Sequence, residues 1–269
     1  MTSFWKTVLG KGSPAGPYWR PILVAVLLAL AMANLGFFSQ GGIIRGLRNG
    51  ATFASGLFPP DPSVTPTLLG AMFETVQMAF VGTTLGFVLA VPLSLLSARN
   101  VSPRWLVPWI RSLLGLVRAI PVLLWALMFV VTFGLGPMAG TLALAVYTLG
   151  YLGKLYYENL EGVNPEVLEA VRGTGASKVQ LARFAVVPEA ANALLSQLLF
   201  MYEYNVRSSA VLGFVGAGGI GFYMFSYINS FNYQKLMTAV LLTLAVMVLL
   251  DLFSARVRDR FLASGASTR

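Results

Sequence analysis

Apolar residues in this chain gather into six long blocks that approach the roughly 20 residues an α-helix needs to cross a bilayer, so the pattern predicts six membrane spans. The first, Pro21 to Phe38, follows Lys6, Lys11 and Arg20. It resembles the core of a signal peptide and holds the small-x-small triplet Ala31-Met32-Ala33, but the apolar run continues past that triplet, which favours an uncleaved helix. Residues 39–66 are rich in Gly and Pro, carry Arg45, Arg48 and Asp61, and include the turn-prone run Phe58-Pro59-Pro60-Asp61-Pro62, so an external loop is expected there. Span two runs from Phe73 to Leu96, with Glu74 near its outer end and Pro92 near its inner end. Span three, Ala119 to Phe133, contains Pro121, and a turn at 134–136 leads to span four, Pro137 to Gly153. Span five covers Ala190 to Phe214, a glycine-rich loop follows, and span six covers Leu236 to Leu252.

Charge then sets the orientation. Of 19 Lys and Arg, 15 fall in the N-terminal segment, between Arg99 and Arg118, between Lys154 and Arg183, and in the tail from Arg256. Basic residues concentrate in cytoplasmic loops, which places these segments and both termini inside. The net charge of +9 is therefore topological and does not point to nucleic acid. Composition agrees: 57% of residues are hydrophobic, 11% are charged and mean hydropathy is +0.73, where a soluble domain carries about 25% charged residues. With no Cys and no His, the chain lacks disulfides, thiolate nucleophiles, imidazole bases and His/Cys metal sites. No Gly-x4-Gly-Lys-Ser/Thr motif is present, since Gly10-Lys11-Gly12 lacks the rest of the pattern, so this chain does not itself hydrolyse ATP. A Ser/Lys intramembrane hydrolase is the least poor enzymatic reading.

The longest polar stretch begins at Lys154. Within it, residues 164–188 carry helix punctuation twice: Asn164 caps with Pro165 behind it, Gly173-Thr174-Gly175 ends the first helix, and Ser177 with Gln180 forms a capping box for a second. Pro188 is expected to mark the entry to span five. Val179, Leu181, Ala182, Phe184 and Ala185, flanked by Lys178 and Arg183, compose an apolar patch suited to a partner's groove. A structured loop packed on its own helix ends fits the same pattern.

At these residues a resemblance becomes specific. Glu169-Ala170-Val171, Gly175 after three residues, and Ala185-x-Val187-Pro188 after nine more resemble the cytoplasmic signature of ABC importer permeases, Glu-Ala-Ala-x3-Gly-x9-Ile-x-Leu-Pro. Val171, Ala185 and Val187 depart from it conservatively. The segment Arg207-Ser208-Ser209-Ala210-Val211-Leu212-Gly213-Phe214-Val215-Gly216-Ala217-Gly218-Gly219-Ile220-Gly221 is similar to the phosphonate-importer branch, as are Lys154, Glu158 and residues 58–61. The resemblance implies an all-α polytopic bundle of the type I ABC importer (MetI-like) fold in a bacterial cytoplasmic (inner) membrane, working as a homodimer. It implies a cytoplasmic ATPase dimer that binds ATP and Mg, with none bound by this chain, and an extracytoplasmic phosphonate-binding protein. Coupling to the ATPase would rest on Glu169, Ala170, Val171, Gly175, Ala176, Ser177, Lys178, Leu181 and Pro188. The implied organisation is 1–66 for the tail, first span and external loop, 67–260 for the core with its coupling loop 154–188, and 261–269 for the C-terminal tail. A permease for phosphite or another phosphorus oxyanion would look much alike; an ion-coupled secondary transporter, using Glu74 and Glu203, is the rival class.

Other signals concern the pathway. Residues 216–221 satisfy Gly-x-Gly-x-x-Gly, but they follow a membrane helix and lack the βαβ setting of a dinucleotide site. Gly216, Gly218, Gly219 and Gly221 are instead expected at an outer gate, where irregular backbone lines a cavity. Glu203 and Arg207 lie four residues apart with Asn205 between. They read either as a mutually neutralising packing pair or as a pathway site in which Arg207 meets a passing phosphonate. Glu74, Tyr147, Tyr151, Tyr202 and Tyr204 are further pathway candidates, the tyrosines reading equally as interfacial anchors.

Overall fold

The computed structural model describes residues 19–37 and 41–266, and among these there is no strand. The chain divides after Gly56 into two compact units. The first holds α1 (Trp19–Asn34), whose apolar part Pro21–Asn34 covers the expected first span only up to a turn at 35–37 and is shorter than a spanning helix, with Phe38 outside the described residues, and α2 (Gly42–Gly56). The irregular loop expected at 39–66 is thus largely helical. Ile43, Ile44, Leu47 and Phe53 recur at helical spacing, and this periodicity outweighs Gly46 and Gly50.

In the second unit Asp61 caps a 3-10 turn at Pro62–Val64, its carboxylate accepting from the Ser63 amide at 2.9 Å. From there α3 (Thr65–Ser97) runs 33 residues, about 50 Å, starting eight residues before the expected Phe73 and carrying Pro92 within it. Span three is not one straight helix. It consists of α4 (Leu106–Ala119) and α5 (Val122–Phe133), bent by 83°. Pro121 forces Ile120 into extended backbone (φ −86°, ψ 121°), and the Trp125 indole N–H bridges the break to the Val117 carbonyl at 3.2 Å.

The 25-residue α6 (Pro137–Glu161), about 37 Å long, is packed on all sides by α3, α4, α5 and α9 (Val187–Leu212). Small residues make this possible. A Cβ on Gly82 would lie 2.8 Å from Leu144 Cβ, and one on Gly86 2.5 Å from Thr148 Cβ, so the Gly82-x3-Gly86 face of α3 lies directly on α6. Gly150 and Gly153 receive Val117 and Leu114 of α4 in the same way. Three described helical stretches are long and apolar enough to cross a membrane, 62–97, 178–215 and 233–260, and the bent pair makes a fourth if it is one span. The less apolar α6 has the length but little surface left for lipid.

After a 3-10 turn at Gly213–Val215, α10 (Gly219–Asn229) occupies most of what the sequence suggested was loop, and α11 (Tyr233–Ala266) closes the bundle. The Thr238 hydroxyl donates to the Asp61 carbonyl at 2.8 Å, pinning the approach to α3 onto α11. Four apolar clusters follow one another along α3, around Met72, Met78, Ala90 and Ala98.

Candidate functional site

The segment between α6 and α9 contains the two short helices the punctuation predicts. In α7 (Pro165–Gly173) the Asn164 side chain accepts from the Glu166 amide at 3.0 Å. Gly175 has φ +80° with nothing within 4 Å of a hypothetical Cβ, so its backbone conformation, not space, calls for glycine. The capping box closes both ways around α8 (Lys178–Leu181): the Ser177 amide donates to Gln180 Oε1 at 2.8 Å and the Gln180 amide to Ser177 Oγ at 3.4 Å. Pro188 sits in the first turn of α9, at the entry expected for it, but no break precedes that helix. A π-turn at Ala182–Val186 carries α8 directly into α9, and its extra residue sits where the Pro188 ring would meet the ladder four residues earlier.

The apolar patch is divided by this geometry. Leu181 and Ala185 turn inward, joining Ala98, Leu160, Val163, Leu168, Val186 and Ala190, so Leu181 anchors the segment and presents nothing outward. Val179 and Phe184 remain 77% and 65% exposed, with the Arg183 guanidinium 5.5 Å from the Phe184 ring centre. Glu169, Ala170, Gly175, Ser177, Lys178 and Pro188 are exposed as well, while Val171 and Ala176 are half-buried. The result is a preformed surface with two apolar knobs and mixed charge.

Behind it lies a constellation that sequence reasoning missed, having read Arg99 and Arg111 only as topological charge. The Arg111 guanidinium donates to the Ser97 carbonyl through Nε at 3.0 Å and Nη2 at 2.8 Å, ion-pairs with Glu161, and lies 4.2 Å from the Tyr157 ring centre. The Arg99 amide donates to the same Glu161 oxygen at 2.6 Å. Burial pushes the Glu161 carboxyl up, but hydrogen bonds from Arg111 and the Arg99 amide and the two guanidinium charges outweigh it, holding the group below its ordinary value.

At the opposite end the four glycines that the sequence suggested for a gate have distinct reasons. Gly216, Gly218 and Gly219 have φ of +82°, +85° and +71°, and a Cβ on Gly221 would collide with the Ala210 carbonyl. The first turn of α10 is capped from α3: Gly219 donates to the Glu74 carboxylate and Ile220 to the Thr75 hydroxyl, each at 2.8 Å. An anion at a helix N-terminus is well placed electrostatically. A cleft of about 360 Å³ opens beside it, lined by Glu74, Gln77, Met78, Val81, Pro137, Met138 and Thr141.

Glu203 and Arg207 do not pair. Arg207 reaches across to Asp251 of α11 at 2.9 Å, both side chains about half exposed, while Glu203 Oε1 is buried without a hydrogen-bond partner. A tertiary partner 44 residues away therefore wins over the helical neighbour. Asn205 is fully buried and donates to Thr83 and Thr148, each at 2.7 Å, joining α3, α6 and α9. Tyr151, Tyr147, Tyr204 and Phe200 form a run of stacked rings with centres 5.7–6.2 Å apart, and Tyr202 bonds Thr84 at 2.9 Å.

Known proteins share this architecture. The family described as "Binding-protein-dependent transport system inner membrane component" matches residues 90–263. The phosphite transport system permease protein PtxC of Stutzerimonas stutzeri is 32% identical over 249 residues, covering 91% of this chain and 90% of that protein. The phosphate-import permease protein PhnE of Mycolicibacterium smegmatis is 37% identical over 206 residues, 76% of this chain and 39% of that protein. Among solved structures, the MetNI methionine ABC transporter in inward-facing conformations superposes with a TM-score of 0.67 at 23% identity, covering 74% of this chain and 98% of that one. The chain belongs to the binding-protein-dependent inner membrane component family and is a multi-pass permease component of an ABC importer.

Proposed function

We propose that this permease forms the pathway of a phosphonate importer in a bacterial inner membrane, as a homodimer with both termini in the cytoplasm. A cytoplasmic ATPase dimer holding ATP and Mg docks on residues 169–188, and an extracytoplasmic binding protein delivers the substrate. The observation that carries this reading is the preformed surface of that segment. Two capped helices and the π-turn after them present Lys178, Val179 and Phe184 outward, while Leu168 and Leu181 seat the segment in the bundle, so a push on it is transmitted to α6 and α9. The basic residues of the same end support its cytoplasmic placement. At the other end, α10 and its glycine turn would close the outer side against Glu74 and Thr75. Phosphite or another phosphorus oxyanion is the second reading, favoured by the phosphite permease relatives.

The test begins with gentle extraction of the tagged protein and identification of what co-purifies, followed by vanadate-sensitive ATP hydrolysis and uptake in proteoliposomes. Wild type should retain an ATPase, and Val179→Glu, an exposed position, should release it while leaving the permease folded. A chain that emerges alone and inert to ATP would overturn the reading. Uptake of a phosphonate in preference to phosphite, with the purified binding protein, decides the substrate.

A further inference from the structure

We propose that Arg111 is a positioning residue for energy coupling: its one guanidinium makes the end of α3, α4 and the end of α6 move with the docking segment as a single body. This rests on the importer reading above. Three features carry it. Glu161 is the last residue of α6 and stands three residues before Asn164, the cap of α7, so a force on the α7 side of the docking segment enters α6 at Glu161. Ser97 is the last residue of α3, and its carbonyl is one of the orphan acceptors at a helix end; Arg111 supplies the missing donors at 2.8 and 3.0 Å. Arg111 itself belongs to α4, which is anchored to α6 through Leu114 at Gly153 and Val117 at Gly150 and leads through the bend at Pro121 into α5.

The chemistry is specific to arginine. A flat fork can serve a carbonyl and a carboxylate at once while its face lies on the Tyr157 ring; an ammonium has the charge but not that geometry. The pair is partly withdrawn from water, with side-chain exposures of 21% and 25%, so solvent screens it less than the surface Lys154–Glu158 pair at 3.3 Å. Apart from its helical continuation into α9, the docking segment meets the bundle through the apolar contacts around Leu168 and Leu181. Those are non-directional, whereas the guanidinium links are directional, and Asn100 adds a further bond to the Leu160 carbonyl at 2.7 Å.

The test uses the full complex with its ATPase and binding protein, comparing wild type, Arg111→Lys, Arg111→Gln and Glu161→Gln for assembly, thermal stability, ATP hydrolysis and substrate moved per ATP. Arg111→Lys retains a charge for Glu161, so the complex should assemble and melt close to wild type. Its transport per ATP should nonetheless fall by roughly two- to thirtyfold, the range over which a residue in a coupling network alters communication between sites. Arg111→Gln and Glu161→Gln should fall at least as far. Unchanged transport per ATP in all three variants, or a loss that tracks the fraction of folded complex and leaves the ratio alone, overturns the proposal. Failure of wild type to bind an ATPase overturns the importer reading itself, an outcome distinct from either.

Discussion

Two glycines in the same helix predict opposite consequences for the same substitution. In α3, a Cβ on Gly70 would meet nothing within 4 Å, whereas one on Gly86 would sit 2.5 Å from Thr148 Cβ and 2.6 Å from the Ala145 carbonyl oxygen. Gly70→Ala should stabilise the protein by about 0.5–1 kcal/mol through the lost backbone freedom of the unfolded chain and better helix propensity. Gly86→Ala gains the same term but overpacks a helix interface, which costs about 1–3 kcal/mol. Thr148 cannot simply retreat, since its hydroxyl receives the buried Asn205 amide at 2.7 Å. The shared gain cancels between the two variants, so they separate by the clash alone, about 1–3 kcal/mol, or roughly 2–12 °C in Tm at 2–4 °C per kcal/mol for a chain of this size. Thermal unfolding of the detergent-solubilised protein, followed by loss of the monodisperse chromatographic peak, measures this directly. Equal melting of the two variants, or a more stable Gly86→Ala, would refute the close α3–α6 contact.

Glu161→Gln should destabilise the protein in a pH-dependent way. The native carboxyl titrates below its ordinary value near 4.5, so its ion pair contributes stability above that pH and loses it as the pH falls through the depressed native value. The Tm gap between wild type and Glu161→Gln should therefore be widest near neutrality and close in acid; a constant gap would contradict the assignment. Asn205→Ala should cost about 1–3 kcal/mol by leaving Thr83 and Thr148 without their buried donor, read as a lower Tm. Glu74→Ala should cost a similar amount, about 1–3 kcal/mol, because the Gly219 amide loses its acceptor. Glu74→Gln keeps a carbonyl oxygen in place and should recover most of that loss.

Local signals were legible in the sequence where local chemistry decides the outcome. Asn164, Ser177 with Gln180, and Gly175 act within a few residues of themselves, and each does in the structure what its position in the chain suggests. Glu203 and Arg207 show the limit. Helical spacing makes them neighbours, but Asp251, remote in sequence, lies within reach of Arg207 and no periodicity reports it. Pro188 stands in the first turn of α9 as expected, but a π-turn upstream takes the place of the break that a proline alone predicts. Glycine misled twice, at α2 and α10. Composition there reads as loop, yet Gly218 and Gly219 only shape the entry to α10, whose cap comes from Glu74 and Thr75 on another helix. Arg111 was visible merely as a positive charge, since its partners sit on two other elements, Ser97 on α3 and Tyr157 and Glu161 on α6.

The enclosure of α6 bears on how the chain is made. A segment leaves the translocation channel for lipid when its own apolarity suffices, and α6 is weaker in this respect than the three stretches 62–97, 178–215 and 233–260. Its glycines and alanines suit protein neighbours better than acyl chains. Stable insertion of α6 therefore depends on α3, which is synthesised earlier and offers the Gly82–Gly86 groove as a receptor. The expected consequence is sequential biogenesis, with an already inserted helix acting as the solvent for the one that follows.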